Sequence, residues 1–330
     1  MAKPKLFFVA ENPGHQFFDA GFVRYQQEEI LLAHAATALQ PGMGHKNYTW
    51  SKLLRWINCY KLAAQVNTND IVYFHFPYRG RAYEKIQALV NKKACTVAVV
   101  IDIDGLRDQQ PELLEKEIKQ LSTFSIIVAH NSAMLAFLQQ KLPGKKIVAL
   151  QVFDYPQEKL NPPRAELINS ICFAGNLNKS DFIQYVNQWP SIHWHLYGQG
   201  QVKTNSHITH HGVFLPKELP GILQGYWGLV WDGNSTLQAH QYLRYNSPHK
   251  LSLYLSAGKP LIVWRQSALA AWVANTKTGI LIEKIEDIPG TIEALPPSQL
   301  QTMQIAVQYW QLQVTRGNML SQLLDKLGKS

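Results

Sequence analysis

Short apolar runs bounded by turn residues recur along this chain, and between them apolar residues repeat at helical spacing. In the first half the runs predict strands over 5–10, 70–76, 96–103, 125–129 and 146–152. The periodicity between them predicts helices over 24–39, 50–65, 83–91, 111–121 and 132–142. Strands alternating with helices of this length build a parallel sheet covered on both faces. The segment 154–164, DYPQEKLNPPR, is polar and rich in proline and reads as a linker. The alternation then restarts, with strands over 170–174, 192–197, 208–211, 228–231, 260–264 and 279–282. Helices are expected over 180–188, 216–225, 249–257 and 268–275, and an amphipathic helical tail from 297 to 330. The chain therefore reads as two α/β domains, 1–155 and 165–300, followed by a helical tail over 301–330.

Composition narrows the class. A chain of 330 residues, 46% hydrophobic and 17% charged, suits two globular cores. No apolar run reaches the roughly 18 residues of a membrane span. The start, MAKPKLFFVAENPG, lacks a small-residue cleavage site and reads as a first strand. Cys59, Cys95 and Cys172 are scattered without metal-ligand spacing, as buried thiols of a cytoplasmic protein would be. The formal net charge of +9 admits nucleic acid, an anionic membrane surface or an anionic small substrate as partner. Lys and Arg are dispersed with no basic tract interleaved with aromatics, which disfavours nucleic acid. Lys92-Lys93 and Lys145-Lys146 precede strands and form a weak basic face. Weak association with the inner face of an anionic membrane is therefore retained.

In parallel α/β sheets, ligands bind beyond the carboxyl ends of the strands, so two such domains facing one another place their chemistry in a central cleft. At those ends stand Glu11 to His15, His75 to Tyr78, the run from Asp102 to Arg107 with its two carboxylates, His130-Asn131, the small-residue loop from Phe173 to Lys179, Tyr197 to Gly200, and Trp231-Asp232-Gly233. The run YNSPHKLSLYLSAGKP, 245–260, adds a helix opening on Pro-His-Lys. Unpaired amides and a partial positive charge make a helix N-terminus favourable to anions. Asn246 or Ser247 is expected to cap it, with Pro248 in its first turn. An ordinary capped helix with solvated His249 and Lys250 explains the same run. No G-x-x-x-x-G-K-[ST] and no G-x-G-x-x-G after the first strand is present, which leaves a nucleotide-diphosphate carrier over an ATPase or a dinucleotide oxidoreductase. Asp102 and Asp104 have the spacing of a metal pair but belong to the other domain, so a metal-independent mechanism without a cofactor is expected.

These residues carry a resemblance. GLVWDG (228–233) with YLRYNSPHKLSLYLSAGKPLIVW (242–264), the loop AGNLNK (174–179), IDIDGLR (101–107) and AHNSAM (129–134) resemble the bacterial β-1,6-galactofuranosyltransferase family. They are also similar to the glucosyltransferases that extend N-acetylglucosamine on serine-rich-repeat adhesins. Where that family has His-Asp-x-Glu, this chain has Ile101 and Asp104 around Asp102. The resemblance implies a GT-B fold, with two Rossmann-like parallel-sheet domains facing a central cleft. It implies an inverting transfer of a hexose from a UDP-sugar held by the second domain to a glycan or glycoprotein acceptor held by the first. Such a reaction needs a base for the acceptor hydroxyl and positive charge on the departing diphosphate. Asp102 is the first candidate base, with a turn cap for 105–110 as its other reading; His15, Asp19 and His130 follow. Lys250 and Lys179 are candidates for the diphosphate, helped by Gly175, Asn176, Ser247 and His249. Tyr197 and Phe214 line a nucleobase pocket or pack in the core. The tail packs within the chain or forms a homo-oligomer contact. A GT-B-like partner subunit without turnover is the alternative function.

Overall fold

Among the described residues every pairing between the named strands is parallel, in two separate six-stranded sheets. The structure, a computed structural model, describes residues 4–10, 20–41, 48–78, 80–160, 166–231 and 241–328. The first sheet contains β1 (Leu6–Val9), β2 (Thr37–Leu39), β3 (Ile71–Phe76), β4 (Cys95–Val100), β5 (Ile126–Ala129) and β6 (Lys146–Ala149), ordered β2-β1-β3-β4-β5-β6. The second contains β7 (Ser170–Ala174), β8 (His193–Tyr197), β9 (Ile208–Gly212), β10 (Trp227–Val230), β11 (Leu261–Trp264) and β12 (Gly279–Ile282), ordered β12-β11-β10-β7-β8-β9. Runs such as IVYFHF in β3 and CTVAVV in β4 are apolar on both faces because helices cover both. The order reverses between β1 and β3 in the first sheet and between β7 and β10 in the second. Ligands of such sheets bind at those reversals.

The chain divides into one unit of Met1–Leu150 with Leu320–Ser330 and another of Gln151–Met319. The core of the second unit gathers Phe173, Trp194, Trp227, Leu229 and Ile262, each fully buried.

Several elements depart from the sequence pattern. The helix expected over 24–39 is Ala20–Ala33, after which the chain turns into β2. No glycine or proline marks this break; Ala35 takes the left-handed conformation itself (φ 58°), and a three-residue edge strand is too short to show alternation. The helix expected over 180–188 is a series of 3-10 turns, Leu177–Lys179, Asp181–Gln184 and Val186–Gln188. Their tighter winding turns Leu177, Phe182, Ile183 and Val186 into the core before Pro190. The helix expected over 216–225 shrinks to Leu219–Ile222, because Leu223 turns extended (ψ 123°). The tail is two helices, Pro297–Thr315 and Asn318–Gly328, broken where Gly317 takes φ 70°.

Candidate functional site

Helix His249–Ser256 brings its N-terminus to the reversal of the second sheet. Packing on β10 sets that position, because a Cβ at Gly228 would lie 2.2 Å from Tyr254 Cγ, so glycine lets the ring lie against the strand. The Tyr254 hydroxyl accepts from Ala174 N at 2.9 Å, tying the helix to the end of β7. Ser252 Oγ donates to Phe153 O at 2.6 Å. Lys250 then reaches across the reversal. Its Nζ donates to Trp231 O at 3.1 Å, just beyond β10, and lies 4.7 Å above the Phe173 ring in β7. A Cβ on Gly175 would stand 3.0 Å from Lys250 Cε and 3.2 Å from Nζ. Glycine there admits the ammonium to the carboxyl edge of the sheet, where it suits a phosphate.

The small-residue loop is equally constrained. Gly175 N donates to Tyr197 O at 2.9 Å. Gly198 takes φ 130°, and a Cβ there would fall 1.8 Å from Gly175 O, so only glycine fits. Asn176 closes the turn locally: its Oδ1 accepts from Asn178 N at 3.1 Å and its carbonyl accepts from Ser180 Oγ at 3.0 Å. Lys179 is exposed on the first 3-10 turn.

Other predicted residues of this unit lie differently. The helix cap is Pro248, with no side-chain hydrogen bond, in place of Asn246 or Ser247. Ser247 is buried and its Oγ donates to Gln151 O at 3.3 Å, because the fold offers that carbonyl on its own side. His249 stacks on Tyr155 with centroids 4.8 Å apart, and its Nε2 lies 3.3 Å from Asp154 O. Burial pushes its pKa down to about 4, so the ring is neutral and committed to its own unit. Tyr197 is a core residue: its hydroxyl donates to Ile222 O at 3.2 Å and accepts from Gln224 N at 2.8 Å. Its ring stacks on His211 at 4.4 Å, and the half-buried Phe214 sits 6.1 Å away.

In the first unit, Asp102 follows β4 and is held from two sides. Its Oδ1 accepts from Ile103 N at 3.0 Å, and its Oδ2 accepts from Arg107. Arg107 also meets Asp104 at 3.0 Å and Asp108 at 2.8 Å. Asp108, with the two other carboxylates, holds the guanidinium above its ordinary pKa against the effect of burial. The turn Asp104–Arg107 hangs from Glu117, whose carboxylate accepts from Asp104 N at 3.1 Å and Gly105 N at 2.8 Å. Burial raises the Glu117 pKa. His130 is 2% exposed. Burial pushes its pKa down to about 4, outweighing the Asp102 carboxylate and the hydrogen bonds with the Ile101 and Val100 backbone, which act the other way. Asn131 caps the next helix, accepting from Met134 N at 2.9 Å. His75 is 3% exposed, its Nδ1 is 3.9 Å from Glu28, and burial lowers its pKa to about 3. His15, Asp19, Asp232 and Gly233 lie outside the described residues. Among the described residues no group of three or more His, Cys, Asp or Glu is arranged to hold a metal ion.

Sequence reasoning assigned no role to Tyr254 or Glu117, and it placed Phe173, Gly198 and Arg107 at strand ends without one. Arg107 was visible within IDIDGLR and Gly198 within Tyr-Gly-Gln-Gly; the others look like core or surface residues until the fold places them.

Two family models match the chain: Glucosyltransferase 3-like, N-terminal domain over 21–152, and Glucosyltransferase 3-like, C-terminal domain over 171–327. The Beta-1,6-galactofuranosyltransferase WbbI of Escherichia coli (strain K12) is 25% identical over 244 residues, covering 70% of each chain. Glucosyltransferase 3 of Streptococcus gordonii is 23% identical over 253 residues, covering 73% of this chain and 74% of that one. The sucrose-phosphate synthase structure from Thermosynechococcus elongatus superimposes with a TM-score of 0.63 at 9% identity, over 98% of this chain and 99% of that one. With two six-stranded parallel sheets flanked by helices, the fold is GT-B.

Proposed function

The chain belongs to the glucosyltransferase 3-like family and is a glycosyltransferase, and we propose that it moves a hexose from a UDP-sugar to a hydroxyl of an acceptor glycan with inversion. The observation that carries the donor reading is Lys250 Nζ at the reversal of the second sheet, against Gly175, Phe173 and Trp231 O. A cation there offsets the charge that develops on UDP as the glycosidic bond breaks. The amides at the start of helix His249–Ser256 add a partial positive charge on the same side. Lys179, exposed on the adjoining turn, is the second candidate cation for the diphosphate. In the first unit, Asp102 remains the candidate base. Ile103 N on its Oδ1 and Arg107 on its Oδ2 orient the carboxylate, whose remaining lone pairs can take the acceptor proton. Ile101, standing where the family pattern has His, is the feature that keeps the second reading, a partner subunit that binds donor without turnover.

A thermal-shift series against UDP, GDP, dTDP, ATP and NAD tests the donor class. UDP alone is expected to raise the melting temperature by ligand linkage, and Lys250→Ala to abolish that rise. An undiminished UDP shift in Lys250→Ala would move the site elsewhere. UDP binding without transfer or donor hydrolysis across an acceptor panel would favour the partner subunit.

A further inference from the structure

Helix Tyr48–Ala64 carries its apolar side outward. Cys59 and Ala63 form its buried face. Leu53 (56% exposed), Trp56 (43%), Ile57 (42%) and Tyr60 (52%) follow one another at three- and four-residue spacing and make one continuous exposed face, which Leu54 widens. The polar positions that normally face solvent on a surface helix are here replaced by two aromatics and three aliphatics. Lys85, from the neighbouring helix Arg81–Val90, sets its Nζ 4.9 Å from the Trp56 ring centroid and 4.7 Å from that of Tyr60. Lys93 Nζ donates to Ala63 O at 2.5 Å, so the residues after that second helix border the end of the first.

The two helical segments are also basic in sequence. Residues 48–64 contain Lys52, Arg55 and Lys61 and no acidic residue. Residues 81–93 contain Arg81, Lys85, Lys92 and Lys93 against Glu84 alone. These two segments thus hold a net +6 of the chain's +9. Leu, Ile, Trp and Tyr on a helix with Lys and Arg around it match the interface of an anionic bilayer. Aliphatic groups enter below the headgroups, aromatic rings lie at headgroup level, and cations meet the phosphates. Three aliphatic side chains at the centre of the patch offer nothing to a nucleic acid. Among the described residues no helix is long and apolar enough to cross a membrane, so this one would lie on the surface.

We propose that the outward face of helix Tyr48–Ala64 docks the protein on an anionic lipid surface. The assignment is independent of the donor-site reading, because it uses no residue of that site. The full-length protein would be sedimented with vesicles of phosphatidylcholine alone and of phosphatidylcholine mixed with phosphatidylglycerol. Binding is expected only to the mixed vesicles and weakens as salt is raised. Trp56→Ser with Ile57→Ser abolishes it, and Lys61→Glu with Lys85→Glu weakens it by roughly tenfold or more. All four positions lie on the surface helices, and unchanged melting curves confirm that the variants fold. Equal sedimentation of wild type and variants, or no binding to the mixed vesicles, overturns the proposal. So does lipid-free self-association in light scattering that the same substitutions remove, since that assigns the face to a second copy of the chain.

Discussion

His75 and His130 are 3% and 2% exposed, and burial holds their pKa values at about 3 and about 4 against an ordinary 6.5. Between those values and 6.5 the unfolded chain binds protons that the folded chain refuses. Stability is therefore complete above pH 6.5 and is lost as pH falls from there toward 4. The limiting slope is about 1.4 kcal/mol per pH unit for each histidine. Urea midpoints should stay level from pH 7.5 to about 6.5 and fall from there to pH 5, and His130→Gln should lessen that fall. A wild-type slope in His130→Gln would show that its ring carries no burial penalty. At this scale the sequence was informative about kinds of residue and poor on their partners. Lys250 could be singled out from Pro-His-Lys. That Tyr197 spends its hydroxyl on Ile222 and Gln224, or that Lys250 meets Phe173, depends on distant neighbours the local pattern does not name.

At the scale of elements, helix His249–Ser256 is held by its fit to β10 and β7. Gly228→Ala would drive a methyl group into the Tyr254 ring and is expected to cost roughly 1–3 kcal/mol, as overpacking does. Tyr254→Phe removes the acceptor of Ala174 N and should cost about 1–3 kcal/mol if that buried amide is left unpaired. Denaturant titration measures both. Because either change shifts Lys250 from the sheet reversal, the UDP-induced melting shift should also shrink; a full shift in a destabilised Gly228→Ala protein would separate the helix from donor binding. Strong apolar runs made the interior strands readable, and β7 falls on the expected 170–174. The failures fall where local signals are weakest: the three-residue edge strand β2 after an unmarked left-handed alanine, and the 3-10 turns after β7, whose apolar spacing resembles that of an α-helix.

Over the whole molecule, residues 320–330 belong to the unit formed by 1–150, where Ser321 Oγ lies 2.8 Å from His34 Nε2. Leu320, Leu323, Leu324 and Leu327 are all buried. Each buried leucine contributes on the order of 1.5–3 kcal/mol, so deleting 320–330 should destabilise the first unit severely. Hydrogen exchange should then show lost protection in β1–β6 with β7–β12 still protected; uniform protection would mean the C-terminal helix is dispensable. The sequence by itself determined the succession of strands and helices, the restart of the α/β pattern after the proline-rich segment, and the residue types for phosphate chemistry. Those follow from hydrophobic periodicity and turn propensity, which act over a few neighbouring residues. Only the tertiary structure decided that β10 lies beside β7, and so that Lys250 meets Gly175, Phe173 and Trp231 O. Strand order comes from long-range packing of the sheet, and no local pattern encodes which distant strand becomes a neighbour.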